Sequence, residues 1–325
     1  MCSPVSLRGG CPGGPASVSA PRSRHSRAWK ARAHTMQDMR RLYASGALAA
    51  LLALAALPSL SQSSSAATIP HPAAQASVNP WTSPPLAAFL RSRSGDVTAG
   101  LYDPATGATY LYRPDHPEVT ASMVKVDILA DLLYESQQGH RALSPTEQSL
   151  ATSMIEDSDN TAAQQLWNDI GGFGTSTRVT GTGGYYAIQD FNRLLGFNQT
   201  ITNWGWGLMQ TTPADYLRLL QALDSANSPL SSSSRSYENT LMRSVTPSQR
   251  FGLPTGVPSS AQVEVKNGWY PEPTGWQINS CAHVQLGAIN YLAVIMTARN
   301  PNEDYGMATV DDVGRLLWAF ESAHK

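Results

Sequence analysis

Short strand-like runs at both ends of the chain bracket a long helical middle. Leu86, Phe89, Leu90 and Arg93 recur at three- and four-residue spacing and predict a surface helix. Two strands follow at 97–102 and 109–112, rich in β-branched and aromatic residues and joined by the turn-forming Asp103-Pro104-Ala105-Thr106-Gly107. From about 120 to 245 the punctuation is helical. Ser144-Pro145-Thr146-Glu147 is a capping box with Pro at the first helical position, and Thr212-Pro213-Ala214-Asp215 is an acidic variant, continued by Leu217, Leu220 and Leu223. Strand character returns at 261–266, 276–284 and 291–297, before a last helix through Val310, Val313, Leu316, Leu317 and Phe320. These elements predict an α/β protein of the α+β kind. One antiparallel sheet is built from the two chain ends and flanked by terminal helices, and an all-α lobe is inserted by the middle.

The N-terminal segment changes the domain picture. Arg40-Arg41 precede an apolar stretch over 42–57, then Pro58 and a Ser-rich run ending at Ala67, the order of a secretory signal peptide. Residues 1–67 therefore read as a signal region, with 36–67 as the signal peptide if translation starts at Met36, 1–35 lying upstream of the true start. The rival, a retained membrane anchor, suits the apolar run less well because it is short for a span. Residues 68–85, with five Pro, read as a linker, leaving 86–325 as the folded domain. Export implies a secreted, extracytoplasmic protein that is free of the membrane after cleavage. Cys2 and Cys11 leave with the signal region, so Cys281 alone remains and forms no disulfide.

Charge narrows the partners. The formal net charge is -1, but residues 1–67 hold seven Arg and one Lys against Asp38 alone, so 15 basic and 23 acidic residues follow. Such a body lacks the clustered cations that neutralise nucleic-acid phosphates or anionic lipid. A small-molecule or peptide substrate and a monomeric state are expected.

Beyond the signal region only Lys125, Lys266 and Lys325 are lysines, beside 12 Arg. Where any cation serves, this chain uses Arg; an internal Lys invites a reason specific to an ammonium, which loses its proton when desolvated. In Ser122-Met123-Val124-Lys125, at a helix start, the three-residue spacing puts Ser122 and Lys125 on one face, so that a neutral Lys125 can take the Ser122 proton. Ser-x-x-Lys alone carries little weight, since Ser322-Ala323-His324-Lys325 repeats it. Ser158-Asp159-Asn160 alone reads as a helix cap, and Lys266-Asn267-Gly268 as a turn ending a strand.

All three motifs in this order resemble the serine β-lactamase and penicillin-binding-protein superfamily, closest to class A β-lactamases. The resemblance covers about 240 residues. It implies a serine hydrolase that opens the β-lactam amide through an acyl-enzyme on Ser122. Lys125 would be the base, Ser158 the proton relay, and Lys266 the source of positive potential that also lowers the pKa of Lys125. Asn160, Asn267, Gly268 and Trp269 would contact substrate, with the N–H groups of Ser122 and Trp269 as the oxyanion hole. No cofactor or metal is implied.

Two departures stand out. Asn267 replaces the usual Thr or Ser of the third motif. No Glu occurs between Asp157 and Tyr237, where class A enzymes carry the glutamate that activates the deacylating water. Asp190 lies in a helical pattern, and the segment 200–210, with Trp204 and Trp206, reads as a shortened aromatic replacement for that loop. The alternatives are a peptidase or other amide or ester hydrolase acting on peptidoglycan-like D-Ala-D-Ala peptides, with slow β-lactam release, and a non-catalytic cell-wall or antibiotic-binding protein. Cys281 and His283, two apart on one strand face, lie parallel rather than facing, and Gly181-Thr182-Gly183-Gly184 reads as a flexible connection.

Overall fold

In the computed structural model the described residues are 78–171 and 184–325; the signal region, the linker up to residue 77 and residues 181–183 of the Gly-rich connection lie outside them. Structure begins earlier than residue 86. Pro80–Thr82 form a 3-10 turn, and helix α1 starts at Pro84 and runs Pro84–Ser92. Trp81 anchors this start, 3% exposed, with its indole N–H donated to Tyr110 O at 3.0 Å.

Strands β1 (Asp96–Asp103) and β2 (Ala108–Tyr112) form the first hairpin. The chain returns to the same sheet with β5 (Gln262–Glu272), β6 (Gly275–Leu286) and β7 (Ile289–Asn300), giving the order β2-β1-β7-β6-β5 with every pair antiparallel. A separate two-stranded ribbon pairs β3 (Glu118–Val119) with β4 (Gln210–Thr211). Between the halves lie α2 (Val124–Gln138), α3 (Pro145–Glu156), α4 (Asn160–Asp169), α5 (Tyr185–Leu194), α6 (Pro213–Asp224) and α7 (Ser232–Arg243), and the chain ends in α8 (Glu303–His324). The punctuation acts as read: Ser144 and Glu147 make the full capping box, and Thr212 accepts from Asp215 N.

The sheet is buried on both faces. Helix α8 packs on β6 and β7, α6 on β7 and β1, and α7 on β5. Alternate β6 residues separate the two sides, Ser280 meeting the segment beside α8 and Cys281 meeting Tyr216 of α6. Positions in β5 and β6 thus reach the helical lobe at every second residue.

The lobe also buries acids. Asp127, Asp131 and Glu238 are at most 2% exposed, and Asn192 Nδ2 donates to Asp127 Oδ2 at 3.0 Å. Burial pushes Asp127 up to about 7 and raises Asp131 and Glu238 well above the usual carboxyl range, helped for those two by neighbouring carboxyls. Native carboxyls therefore hold protons that the unfolded chain has released, so stability falls as pH rises from the ordinary carboxyl range through about 7. Each such group contributes about 1.4 kcal/mol per pH unit within its window. Thermal unfolding scans are expected to give a lower Tm at pH 8 than at pH 5.5, with a shallower decline in Glu238→Gln.

Candidate active site

Ser122 sits in a 3-10 turn, Ala121–Met123, that leads directly into α2, so its hydroxyl stands at a helix N-terminus. The turn is strained and braced. Ala121 has φ 47°, a left-handed conformation uncommon for a residue with a Cβ. Fully buried Asn279 donates Nδ2 to Val119 O at 2.7 Å and Thr120 O at 3.2 Å, and fully buried Tyr216 donates its hydroxyl to Met123 O. Sequence reasoning missed both anchors. Asn279 carried a faint signal as a polar residue inside a strand, while Tyr216 looks like any apolar position of α6.

Lys125, in the first turn of α2, is fully buried. Its Nζ donates to Ser158 O, to Ser158 Oγ at 3.1 Å and to Asn160 Oδ1 at 2.8 Å. Lys266 approaches the same hydroxyl from β5, with Nζ to Ser158 Oγ at 2.8 Å and to Asn267 O at 3.0 Å. Asp159 caps α4 and accepts from Ala162 N at 2.6 Å, which places Ser158 just outside the helix at φ 57°. Ser158 is thus held out of regular structure between two ammonium groups. Ser122 Oγ itself has no hydrogen-bond partner among the described residues, so the structure brings Lys125, Ser158, Asn160 and Lys266 into one network and leaves the Ser122 hydroxyl outside it.

Burial is the main force on the pair, lowering Lys125 to about 7 against a smaller upward pull from Asp159. Lys266 is lowered to about 7 by burial and then by repulsion from Lys125. Two cations on one hydroxyl cannot both stay charged cheaply, so near neutrality the pair shares fewer than two protons.

The third motif lies inside β5 rather than at its end, because β5 continues to Glu272 in register with β6, Lys266 opposite Cys281. Gly268 lets this edge strand touch the Ser122 turn: a Cβ there would lie 2.7 Å from Ser122 N and 2.7 Å from Thr120 O. Trp269 is half-buried and meets Phe251 edge-on at 5.6 Å. Asn267 is fully buried, donating Nδ2 to Gln249 O at 2.7 Å and Phe251 O at 2.9 Å.

The 200–210 segment passes over Lys125. Trp206 holds its ring 5.2 Å from Lys125 Nζ and donates Nε1 to Gln164 Oε1 at 3.2 Å, while Trp204 is exposed and stacks on Tyr185 at 4.2 Å. Asp215, 1% exposed, fixes where the segment starts by accepting from Gln199 N and Thr200 Oγ1, each at 2.8 Å. Asp190 lies on α5 and pairs with Arg193 at 2.6 Å. Cys281 donates Sγ–H to Lys266 O at 3.3 Å, and burial raises its thiol to about 12, while His283 faces Glu264 at 3.2 Å. Among the described residues no group of three or more His, Cys, Asp or Glu is placed to hold a metal, and no helix is long and apolar enough to cross a membrane.

Comparison with known proteins agrees with this fold. A family model described as the beta-lactamase enzyme family matches residues 140–320, taking in Ser158, Asn160 and the 266–269 strand. A Mycobacterium tuberculosis protein that carries the lipoprotein name LppW is 25% identical over 237 residues, covering 68% of this chain and 69% of that protein. An ancestral class A beta-lactamase shares the fold at a TM-score of 0.58 and 22% identity, covering 72% of this chain and 98% of that one. A beta-lactamase from Chitinophaga pinensis aligns at a TM-score of 0.61 and 16% identity, over 72% of this chain and 97% of that one.

Proposed function

The chain belongs to the beta-lactamase enzyme family, and from that membership and its lysine pair we propose a serine hydrolase that forms an acyl-enzyme on Ser122. The observation that carries the reading is the convergence of Lys125 and Lys266 on Ser158 Oγ, at 3.1 and 2.8 Å, with Lys125 three residues after Ser122. A neutral Lys125 takes the proton of Ser122 Oγ as the oxygen attacks the amide or ester carbonyl carbon. Ser158 Oγ, hydrogen-bonded to both lysines, passes a proton to the leaving nitrogen or oxygen as its bond to carbon breaks. Lys266 supplies positive potential, Asn160 Nδ2 remains open to a substrate acceptor, and the N–H groups of Ser122 and Trp269 receive the oxyanion.

Water then has to cleave the ester on Ser122, and the only general base in the network is the lysine pair. Trp206 lies over Lys125, and no glutamate occurs between Asp157 and Tyr237. Release slower than acylation is the expected consequence. The β-lactam amide is the substrate that the class A resemblance favours. A peptidase on peptidoglycan-like peptides uses the same acylation half, and slow release favours it as the second reading. The signal-like N-terminus and the lipoprotein name of the mycobacterial relative support extracytoplasmic placement.

The test is time-resolved intact mass of the purified chain with a penicillin, alongside a ring-opening assay and a D-Ala-D-Ala peptide. An adduct on Ser122 that outlasts ring opening is expected; no adduct and no turnover of either compound would sink the reading. Gly268→Ala offers a second check. Its Cβ would press backbone atoms at 2.7 Å, which cannot swing aside as a side chain can. Displacing the Ser122 turn is expected to slow acylation on the order of 100-fold, read from adduct formation.

A further inference from the structure

We infer, on the footing that Ser122 is the acylated nucleophile, that Trp206 is a positioning residue that keeps water off Lys125 and so sets how long the acyl-enzyme lasts. To cleave the ester, a water oxygen has to bond to the acyl carbon while Lys125 takes one of its protons, and that proton then returns to Ser122 Oγ as the ester bond breaks. The water therefore needs a place on Lys125 Nζ. The amine already meets Ser158 O, Ser158 Oγ at 3.1 Å and Asn160 Oδ1 at 2.8 Å. The Trp206 ring adds a further wall, its centre 5.2 Å from Nζ. A water hydrogen-bonded to the amine and resting against the ring would need roughly 6 Å between amine and ring centre. At 5.2 Å it does not fit, in keeping with a Lys125 that is fully buried beneath a half-buried Trp206.

The ring is tied down from two sides. Its Nε1–H donates to Gln164 Oε1 at 3.2 Å. An indole only donates, so the Gln164 amide has to present its oxygen, and its Nε2 goes on to Asn168 Oδ1 at 3.0 Å. Gln164 follows Asn160 by four residues on the same face of α4, so one turn of that helix holds Lys125 and the next holds its cover. On the other side Ile201 and Gln210 exchange backbone hydrogen bonds at 2.8 and 3.1 Å, which closes the segment into a loop, and Trp204 stacks on Tyr185 at 4.2 Å. The ring acts on the amine in two opposing ways: its face favours an ammonium, while its bulk withholds the water that would solvate one. Burial is the largest influence on Lys125, so the second effect dominates. The other charged groups that act on this pair of lysines are each other and Asp159 at the start of α4, and all of them stay when Trp206 is replaced.

The test follows the Ser122 adduct of the full chain with benzylpenicillin by intact mass, on the pH plateau where the amine is neutral. Trp206→Ala is expected to shorten the adduct's lifetime by at least about tenfold, since a positioned general base contributes on the order of 100-fold or more. It should also move the rising limb of acylation to higher pH, as water reaches the ammonium. Trp206→Phe keeps a ring over the amine and Gln164→Leu keeps the indole, and each loses only the tie, so their lifetimes should fall between those of the parent and Trp206→Ala. An adduct whose lifetime is the same in every variant would overturn the inference and leave the acyl-enzyme standing. Faster decay with the limb unmoved would also overturn it, because the surroundings of the ester and not of the amine would then have loosened. Ser122 left unmodified in the parent would overturn the acyl-enzyme reading itself. Gln164 is exposed, so if Trp206→Ala fails to fold, an unchanged lifetime in Gln164→Leu overturns the inference on its own.

Discussion

Ser122→Ala is expected to abolish the covalent adduct and to lower acyl transfer by at least about 1000-fold, while leaving the fold and reversible binding in place. The side chain is partly exposed and makes no hydrogen bond, so its loss breaks nothing that holds the turn. The turn is held instead by backbone contacts from Asn279, Tyr216 and the edge of β5 at Gly268. Thermal unfolding of the variant should therefore match the parent within a degree or two on the order-of-magnitude scale for surface changes. Binding without an adduct in the parent as well would instead mark a receptor that keeps the fold. An adduct that persists in Ser122→Ala would point to another nucleophile, and the buried, high-pKa thiol of Cys281 is poorly suited to that role.

The parts of this site that were legible in the sequence are those whose chemistry is local to a few residues. A lysine-poor chain exposed Lys125 and Lys266 by contrast, and motif order linked them to Ser158 across more than 100 residues. The helix caps at Ser144 and Thr212 were legible because capping is settled within three residues. What stayed hidden depends on distant chain. Strand β5 runs past Gly268 and Pro271 although both are poor strand formers, because its partner β6 carries the pairing and the strand lies at the sheet edge, where a missing N–H is tolerated. Whether the Asn267 amide turns to substrate or to backbone is decided by two carbonyls at 249 and 251, which no reading of the motif could place. The sequence marked Trp206 as part of an aromatic loop replacement, but which of its two tryptophans covers Lys125 is set by the fold and could not be read from the loop.

The acylation rate is expected to rise with pH through a midpoint near 7 and then level, since the Lys125 ammonium has to lose its proton before it can accept one from Ser122. Lys125→Arg keeps a cation that cannot deprotonate, so the rate should fall by about 100- to 10,000-fold and the rising limb should disappear. Lys266→Met tests for a further force on Lys125, beside burial and the opposing charge of Asp159: the repulsion that Lys125 exerts on Lys266, acting in return. Burial, the larger, remains; the like charge on the shared Ser158 hydroxyl goes. Losing a positive neighbour makes the ammonium easier to keep, so the limb should move to higher pH by about one unit, yet stay well below an ordinary lysine. A limb that stays in place would mean that desolvation alone sets the base, and one that moves to lower pH would exclude repulsion as the coupling. Stability should follow the opposite logic from that of the buried acids. Between about 7 and the ordinary lysine value of 10.5 the unfolded chain binds protons that the folded chain has released, so the lysine contribution to stability grows as pH rises across that interval and is least favourable below it. Replacing Lys266 with Met removes a buried cation, and below pH 7 it should raise Tm even as it slows acylation. A protein that loses rate and gains stability from one substitution is keeping that lysine for its chemistry, and a variant that lost both would show Lys266 to be a structural donor to Ser158 and Asn267 instead.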